Sequence, residues 1–228
     1  MDALSLLQGF RFIDSFFPSG GYAFSSGLEA AVQGGAVSDA RQFLPYVEDL
    51  LRGGLARRDA MAVGLAWQAV KVAQLPLALK VDAELEAMKI GYESRMASRQ
   101  MGRQVLRMAT DCAEPHALLR AFDEAVTEAR TPGHLSVSLG LTLAAHGWGR
   151  TDAIAAFLYH VGVGFVSAAM KLLPIGQREG QRLLAQWTPL FVELSLQTPA
   201  RGEMVSWSPV QDIYAVRHSR LKSRLFRS

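Results

Sequence analysis

The side chains that most often do chemistry are thinly spread in this chain. Its five histidines, His116, His134, His146, His160 and His218, show no His-x-His or His-Glu-x-x-His spacing, and Cys112 has no Cys-x-x-Cys partner. No local segment therefore presents a metal site. Cys112 has His116 four residues on, but Pro115 between them disrupts the helical geometry that would pair a thiol with a base. There is no Gly-x-x-x-x-Gly-Lys-Ser/Thr phosphate loop and no Gly-x-Ser-x-Gly nucleophile elbow. Gly162-Val163-Gly164 begins a Gly-x-Gly, yet Ser167 stands at the third glycine position and no strand precedes it. A lone histidine on an apolar helix, such as His160, reads as a hydrogen-bonded core residue.

The distinctive residues suit recognition instead. Phe16-Phe17-Pro18-Ser19-Gly20-Gly21-Tyr22 is a shaped loop, because proline removes a donor, the paired glycines permit positive φ, and three aromatics flank them. Lys171 is the first charge after the uncharged run from Ala153 to Met170, and Pro174-Ile175-Gly176-Gln177 turns the chain directly after it. The segment from Arg217 to Arg227 holds five Lys or Arg and no acid. Its end, Arg224-Leu225-Phe226-Arg227-Ser228, sets an apolar pair between two arginines, which reads either as a tail that buries Leu225 and Phe226 on a partner while the arginines seek carboxylates or as a solvated tail with no partner.

The elements that carry these residues follow from periodicity. Leu4, Leu7, Phe10 and Ile13 make one face of a short N-terminal helix. Ser25 or Ser26 caps or begins a helix that ends at Gly34-Gly35. Asp39 sits in the first turn of another, whose Phe43, Leu44, Val47, Leu50 and Leu51 recur at helical intervals until Gly53-Gly54. Leu55 to Val72 predicts a further helix, stopped at Leu75-Pro76. Val81 to Met108 is a long polar pattern in which Glu93, Arg95, Arg99 and Arg103 read as a solvated helix face. Glu114-Pro115 opens a short helix to Arg130, ended by Thr131-Pro132-Gly133.

Two segments are almost free of charge. The first lies between His134 and His146 and reads as a buried helix despite its Val and Thr content, since no hairpin partner supports a strand. The second, Ala153 to Met170, would be apolar on every side and therefore buried, and the fold is expected to be organised around it. It is near the lower limit of a bilayer span, about 17–25 residues, but it holds Tyr159, His160 and Ser167 and has no aromatic belt or basic flank. Gly176 to Leu196 is an amphipathic helix with Pro189 as the place for a kink, and Trp207-Ser208-Pro209 opens the last one. The expectation is an all-α, single-domain bundle of about ten helices with two buried apolar helices, residues 1–216, followed by a basic tail, 217–228, that orders on a partner.

The totals agree with one globular domain: 228 residues, 50% hydrophobic and 20% charged. A net charge of +3 gives nucleic-acid binding no support. The single cysteine fits a reducing compartment, and MDALSLLQGFRFID has an acid at the second position, no basic n-region and no small-residue cleavage pattern, so a cytoplasmic location is expected.

Several segments together, in order, resemble the UreF family of urease accessory proteins. They are Leu6-Leu7-Gln8 with Pro18-Ser19-Gly20-Gly21-Tyr22-Ala23-Phe24-Ser25-Ser26-Gly27-Leu28-Glu29, then Met101-Gly102-Arg103, Lys171-Leu172-Leu173-Pro174-Ile175-Gly176-Gln177, and Arg224-Leu225-Phe226-Arg227-Ser228. The resemblance implies an all-α fold, usually dimeric, with no catalytic site and no firmly bound cofactor. It implies a scaffold that joins a UreD/UreH-type accessory protein to the accessory GTPase UreG for delivery of nickel to apo-urease, the complex handling the nickel and UreG binding the GTP. The positions it marks for partner contact are Tyr22, Glu29, Lys171, Gln177, Arg178, His218, Arg224, Leu225, Phe226, Arg227 and Ser228. Lys171 and Gln177 fall to the GTPase-facing surface or its support, and Glu29 is either exposed or a structural cap. The chain departs from the family where Ser219 and Arg220 follow His218 instead of an acid, and where Ser19 replaces the common Val or Ile.

Two other classes stay open on the residues alone. One is a helical enzyme, or a small-ligand-binding protein, with a pocket between the two buried helices. The other is a peripheral membrane module, which requires the run from Ala153 to Met170 to be exposed.

Overall fold

A computed structural model describes residues 1–111 and 115–227, so Cys112, Glu114 and Ser228 lie outside the described residues. Among the described residues the fold is all-α, with no strand. The elements are α1 (Ala3–Ile13), α2 (Leu28–Gln33), α3 (Ala40–Leu50), α4 (Met61–Lys71), α5 (Leu75–Met88), α6 (Tyr92–Thr110), α7 (Ala117–Thr127), α8 (Leu135–Ala145), α9 (Arg150–Leu172), α10 (Gln177–Gln197) and α11 (Pro209–His218). A π-helical segment, Leu51–Ala60, joins α3 to α4 without a break, so the eleven α-helices form ten rods.

Local chemistry sets most of the ends. Asp2 accepts from the Ser5 amide at 2.8 Å and Asp39 from the Gln42 amide at 2.9 Å, each satisfying an orphan donor of a first turn. Gly27 precedes α2 with φ +84°, and a Cβ there would stand 2.8 Å from the backbone nitrogen of Ala215 on α11. Only glycine serves both needs. Pro209 begins α11, where its missing N–H costs nothing.

The centre of the bundle is α8. Every residue from Leu135 to Ala144 is buried, and the helix packs on α4, α6 and α9. Leu139, Leu141 and Leu143 are wholly enclosed, each contributing about 1.5–3 kcal/mol by leaving water. The longer α9, expected to be both organiser and fully buried, lies beside it against α4, α8 and α10 and leaves Tyr159, Gly164 and Met170 on an outer side. It is long and apolar enough to cross a membrane, and just over half of that stretch, 56%, is buried inside the protein. Its lack of charge reflects small and amphipathic residues outside as much as burial within.

Three expected boundaries are corrected. Gly53-Gly54 does not end a helix: both glycines lie in the π-helical segment, where the Trp207 carbonyl and the Ser208 side chain occupy the space a Cβ would need. Trp207 donates its amide to the Gly53 carbonyl at 3.0 Å there. The polar run from Val81 to Met108 is broken between α5 and α6 because Lys89 turns inward and donates to Asp59 at 2.7 Å. The short helix α7 begins at Ala117, capped by the His116 ring, and ends at Thr127 rather than Arg130. Pro189 lies inside α10 without ending it.

Candidate functional site

The site is built around Glu29. Helix α2 is short and enters through Gly27, which seats Glu29 one turn from Ser25, whose Oγ accepts the Glu29 amide at 3.4 Å. The side chain then points inward and is only 2% exposed. His218, the last residue of α11, is 0% exposed because α11 packs on both α2 and α6. Its Nε2 lies 2.9 Å from Glu29 Oε2 and its Nδ1 lies 2.7 Å from Glu93 Oε2 on α6.

After Ser219 the tail turns back over this cluster. The Leu225 amide donates to Glu29 Oε1 at 2.6 Å and the Phe226 amide to Glu29 Oε2 at 3.0 Å. One carboxylate thus holds two consecutive tail amides and a ring nitrogen. Arg224 donates to Glu93 Oε1 at 2.8 Å, Gln33 to the Ser223 carbonyl at 3.1 Å, and the Arg227 amide to the Ala23 carbonyl at 2.8 Å. The Phe226 ring, 5% exposed, fills the space beneath Lys171, whose Nζ lies 5.2 Å from that ring and 3.4 Å from the Tyr22 carbonyl. Burial acts to raise the Glu29 carboxyl, and the hydrogen bonds from Leu225, His218 and Phe226 outweigh it, so its pKa lies below the ordinary 4.5.

The structure therefore brings together Tyr22, Glu29, Lys171, His218, Arg224, Leu225, Phe226 and Arg227. Glu29 takes the structural of its two expected roles. Outward the cluster presents Tyr22, 74% exposed, Leu225, 63% exposed, and the cations Lys171, Arg224 and Arg227. Gln177 and Arg178 stand exposed in the first turn of α10, beyond the Leu172–Gly176 turn, and make no hydrogen bond to Glu29 or the tail. Ser228 lies outside the described residues. Sequence reasoning missed Glu93 and Gln33. Glu93 was read as part of a solvated face, and with Lys89 four residues before it no local signal marked it as turned inward.

The other candidate groups are spent elsewhere. Asp59 accepts from Lys89 at 2.7 Å, Arg58 at 2.9 Å and Ser136 at 2.9 Å inside the bundle. Burial acts to raise Asp59 and the two cations pull it well below the carboxylate range, while burial lowers Lys89. His134 faces Glu86 at 2.8 Å, His146 stacks on Phe12 and His160 lies 3.2 Å from the Ile13 carbonyl, the core role expected of it. Among the described residues no three His, Cys, Asp or Glu side chains converge on a metal position. Met101-Gly102-Arg103 is a seat for the turn before α8: the Gly133 carbonyl lies where a Gly102 Cβ would be, and Arg103 donates to the Pro132 carbonyl at 3.1 Å. Two adjoining cavities of about 140 and 150 Å³ share Leu135 of α8 and Val161 and Phe165 of α9, and reach α8 only in its first turn, at Leu135 and Ser136.

Comparison with known proteins places these features in a group. The sequence model of the UreF family matches residues 37–188. Lys171, Gln177 and Arg178 fall inside that interval, and Tyr22, Glu29, His218 and the tail fall outside it. Full-length relatives extend the similarity. The urease accessory protein UreF of Actinobacillus pleuropneumoniae serotype 5b (strain L20) is 33% identical over 219 residues, covering 95% of this chain and 96% of the relative. That of Haemophilus influenzae (strain PittEE) is 30% identical over 219 residues, covering 95% and 92%. That of Bacillus sp. (strain TB-90) is 28% identical over 225 residues, covering 98% and 99%.

Proposed function

The chain belongs to the UreF family of urease accessory proteins, and from that membership we propose that it is a non-catalytic scaffold for nickel delivery to apo-urease. In this reading a UreD/UreH-type accessory protein and the GTPase UreG bind the same scaffold. UreG supplies the nucleotide chemistry, and nickel is the cargo of the assembly. The scaffold works in the cytoplasm as a homodimer within that complex.

The observation that supports it best is the convergence on Glu29. The N-terminal loop, the end of α9 and the C-terminal tail are far apart in sequence, yet one buried carboxylate and one lysine gather them into a single surface. What that surface shows to solvent is an aromatic, a leucine and three cations, a composition suited to a protein partner with an apolar pocket rimmed by carboxylates. The buried members fix its shape and the exposed members make contact. Gln177 and Arg178 extend the same reading to the start of α10.

The test is assembly. The purified chain is mixed with the UreD/UreH-type protein and UreG, with nickel and GTP, and complex mass is followed by light scattering. We expect a three-component complex with the full chain and its loss when residues 221–228 are removed. Leu225→Ala, which leaves the buried Phe226 in place, separates contact from folding. A full chain that stays alone beside folded partners overturns the reading.

A further inference from the structure

His218 presents both ring nitrogens to carboxylates, Nε2 to Glu29 at 2.9 Å and Nδ1 to Glu93 at 2.7 Å. Ionised carboxylates only accept hydrogen bonds, and only the imidazolium carries two N–H donors. The charges say the same. Glu29 and Glu93 bring two negative charges, and Arg224 on Glu93 brings one positive, so the cluster is neutral when the ring is protonated. A neutral ring would set a nitrogen lone pair against a carboxylate oxygen, in a place where His218 is 0% and Glu29 2% exposed. An uncompensated buried charge is costly, and the arrangement relieves it by coming apart.

What would come apart is the tail. Glu29 Oε2, which faces His218, also holds the Phe226 amide, Glu29 Oε1 holds the Leu225 amide, and the Glu93 carboxylate that faces His218 also holds Arg224. Among the described residues, the groups that face this cluster are Glu29 and Gln33 of α2, Glu93 of α6 and Arg224 of the tail. Lys171 of α9 reaches the Tyr22 and Phe226 rings, not the carboxylates, and Arg217 of α11 lies 5.9 Å from the Tyr214 ring. Among the described residues no other cation is paired with Glu29 or Glu93.

We propose that His218 is a proton-operated latch: its imidazolium holds the C-terminal tail on the body, and loss of that proton frees the tail and dismantles the Tyr22–Lys171–Arg227 surface. The consequence for assembly rests on the scaffold reading above. The latch itself belongs to the single chain.

The experiment uses the full chain without partners. His218 protonation is followed by ring NMR across a pH series. Tail release is followed by trypsin cleavage after Arg220, Lys222 and Arg224, normalised to an unstructured reference peptide at each pH. We expect normalised cleavage to rise at least tenfold as the ring deprotonates. In Glu93→Gln the side-chain amide can donate to a neutral Nδ1 while Nε2–H still serves Glu29, so the rise should shrink to less than threefold. Far-UV circular dichroism checks that the variant is folded, and Arg224→Gln, which spares both ring contacts, should keep the pH-dependent rise. Cleavage that stays flat while the ring titrates overturns the latch, as does a ring that keeps its proton throughout or a Glu93→Gln chain that responds like the parent. None of these outcomes bears on partner binding, and a chain that fails to assemble leaves the latch intact.

Discussion

Glu29 Oε2 and His218 Nε2 meet 2.9 Å apart inside the protein although 189 residues separate them in the chain. The same Glu29 carboxylate holds two amides of the tail. Glu29→Gln keeps the shape but offers one neutral acceptor oxygen in place of a charged pair. Hydrogen bonds to charged groups contribute about 1.5–3 kcal/mol each, so losing one should weaken tail docking roughly 10- to 100-fold. Trypsin cleavage after Arg220 and Lys222 should accelerate by that factor while the far-UV spectrum is unchanged. A cleavage rate equal to the parent's would show that the carboxylate does not hold the tail.

Acid should also open the latch, from the other side. The folded Glu29 carboxyl titrates below its ordinary 4.5, so the docking it supplies is complete above that value and is lost as pH falls through the lower folded value. The Leu225 and Phe226 amide resonances should hold their hydrogen-bonded shifts through the ordinary carboxyl value of 4.5 and collapse at lower pH. Shifts that persist into strong acid, with the rest of the fold intact, would contradict this.

The buried pair of Lys89 and Asp59 predicts an order of stabilities. Asp59→Asn strands Lys89, which is buried and, among the described residues, is paired with no second carboxylate, whereas Lys89→Met leaves Asp59 with Arg58 and Ser136. Removing one partner of a buried pair costs roughly 3–5 kcal/mol. Thermal unfolding should therefore place Asp59→Asn lowest, Lys89→Met between, and the parent highest. The reverse order would mean that Arg58 alone does not sustain Asp59.

Two glycines on α9 should respond with opposite signs. A Cβ at Gly162 would stand 2.6 Å from the buried Phe191 ring, and overpacking of this kind costs about 1–3 kcal/mol. Gly164 has nothing within 4 Å of that position, so Gly164→Ala should gain about 0.5–1 kcal/mol from helix propensity. Denaturant midpoints of the two variants measure the difference, and equal shifts would refute the packing account.

Leu225 and Phe226 are neighbours with different tasks. Phe226→Ala empties the space under Lys171 and should release the tail in the isolated chain, because truncating a buried phenylalanine costs about 3–5 kcal/mol. Leu225→Ala removes an exposed side chain and should leave cleavage unchanged while, on the scaffold proposed above, weakening capture of the UreD/UreH-type protein at least tenfold. Titration calorimetry on both variants separates these effects. A Leu225→Ala chain that binds like the parent would move the contact elsewhere on the surface.

What the sequence determined by itself is what a few adjacent residues settle. Asp39 starts α3, Pro209 opens α11, and the charge-free run of α8 is buried, because capping, φ restriction and apolar patterning act over one or two turns. The aromatic-glycine loop, Lys171 and the basic tail were legible as the unusual parts. Their convergence was not, since it depends on Glu29 reaching a tail almost two hundred residues away. The same is true of Lys89, read as one charge on a polar helix until Asp59 turned it inward, and of Gly53-Gly54, read as a stop until Trp207 and Ser208 explained the missing side chains. A charge is buried or a glycine required only when a distant segment arrives to face it, and only the tertiary structure says which segment that is.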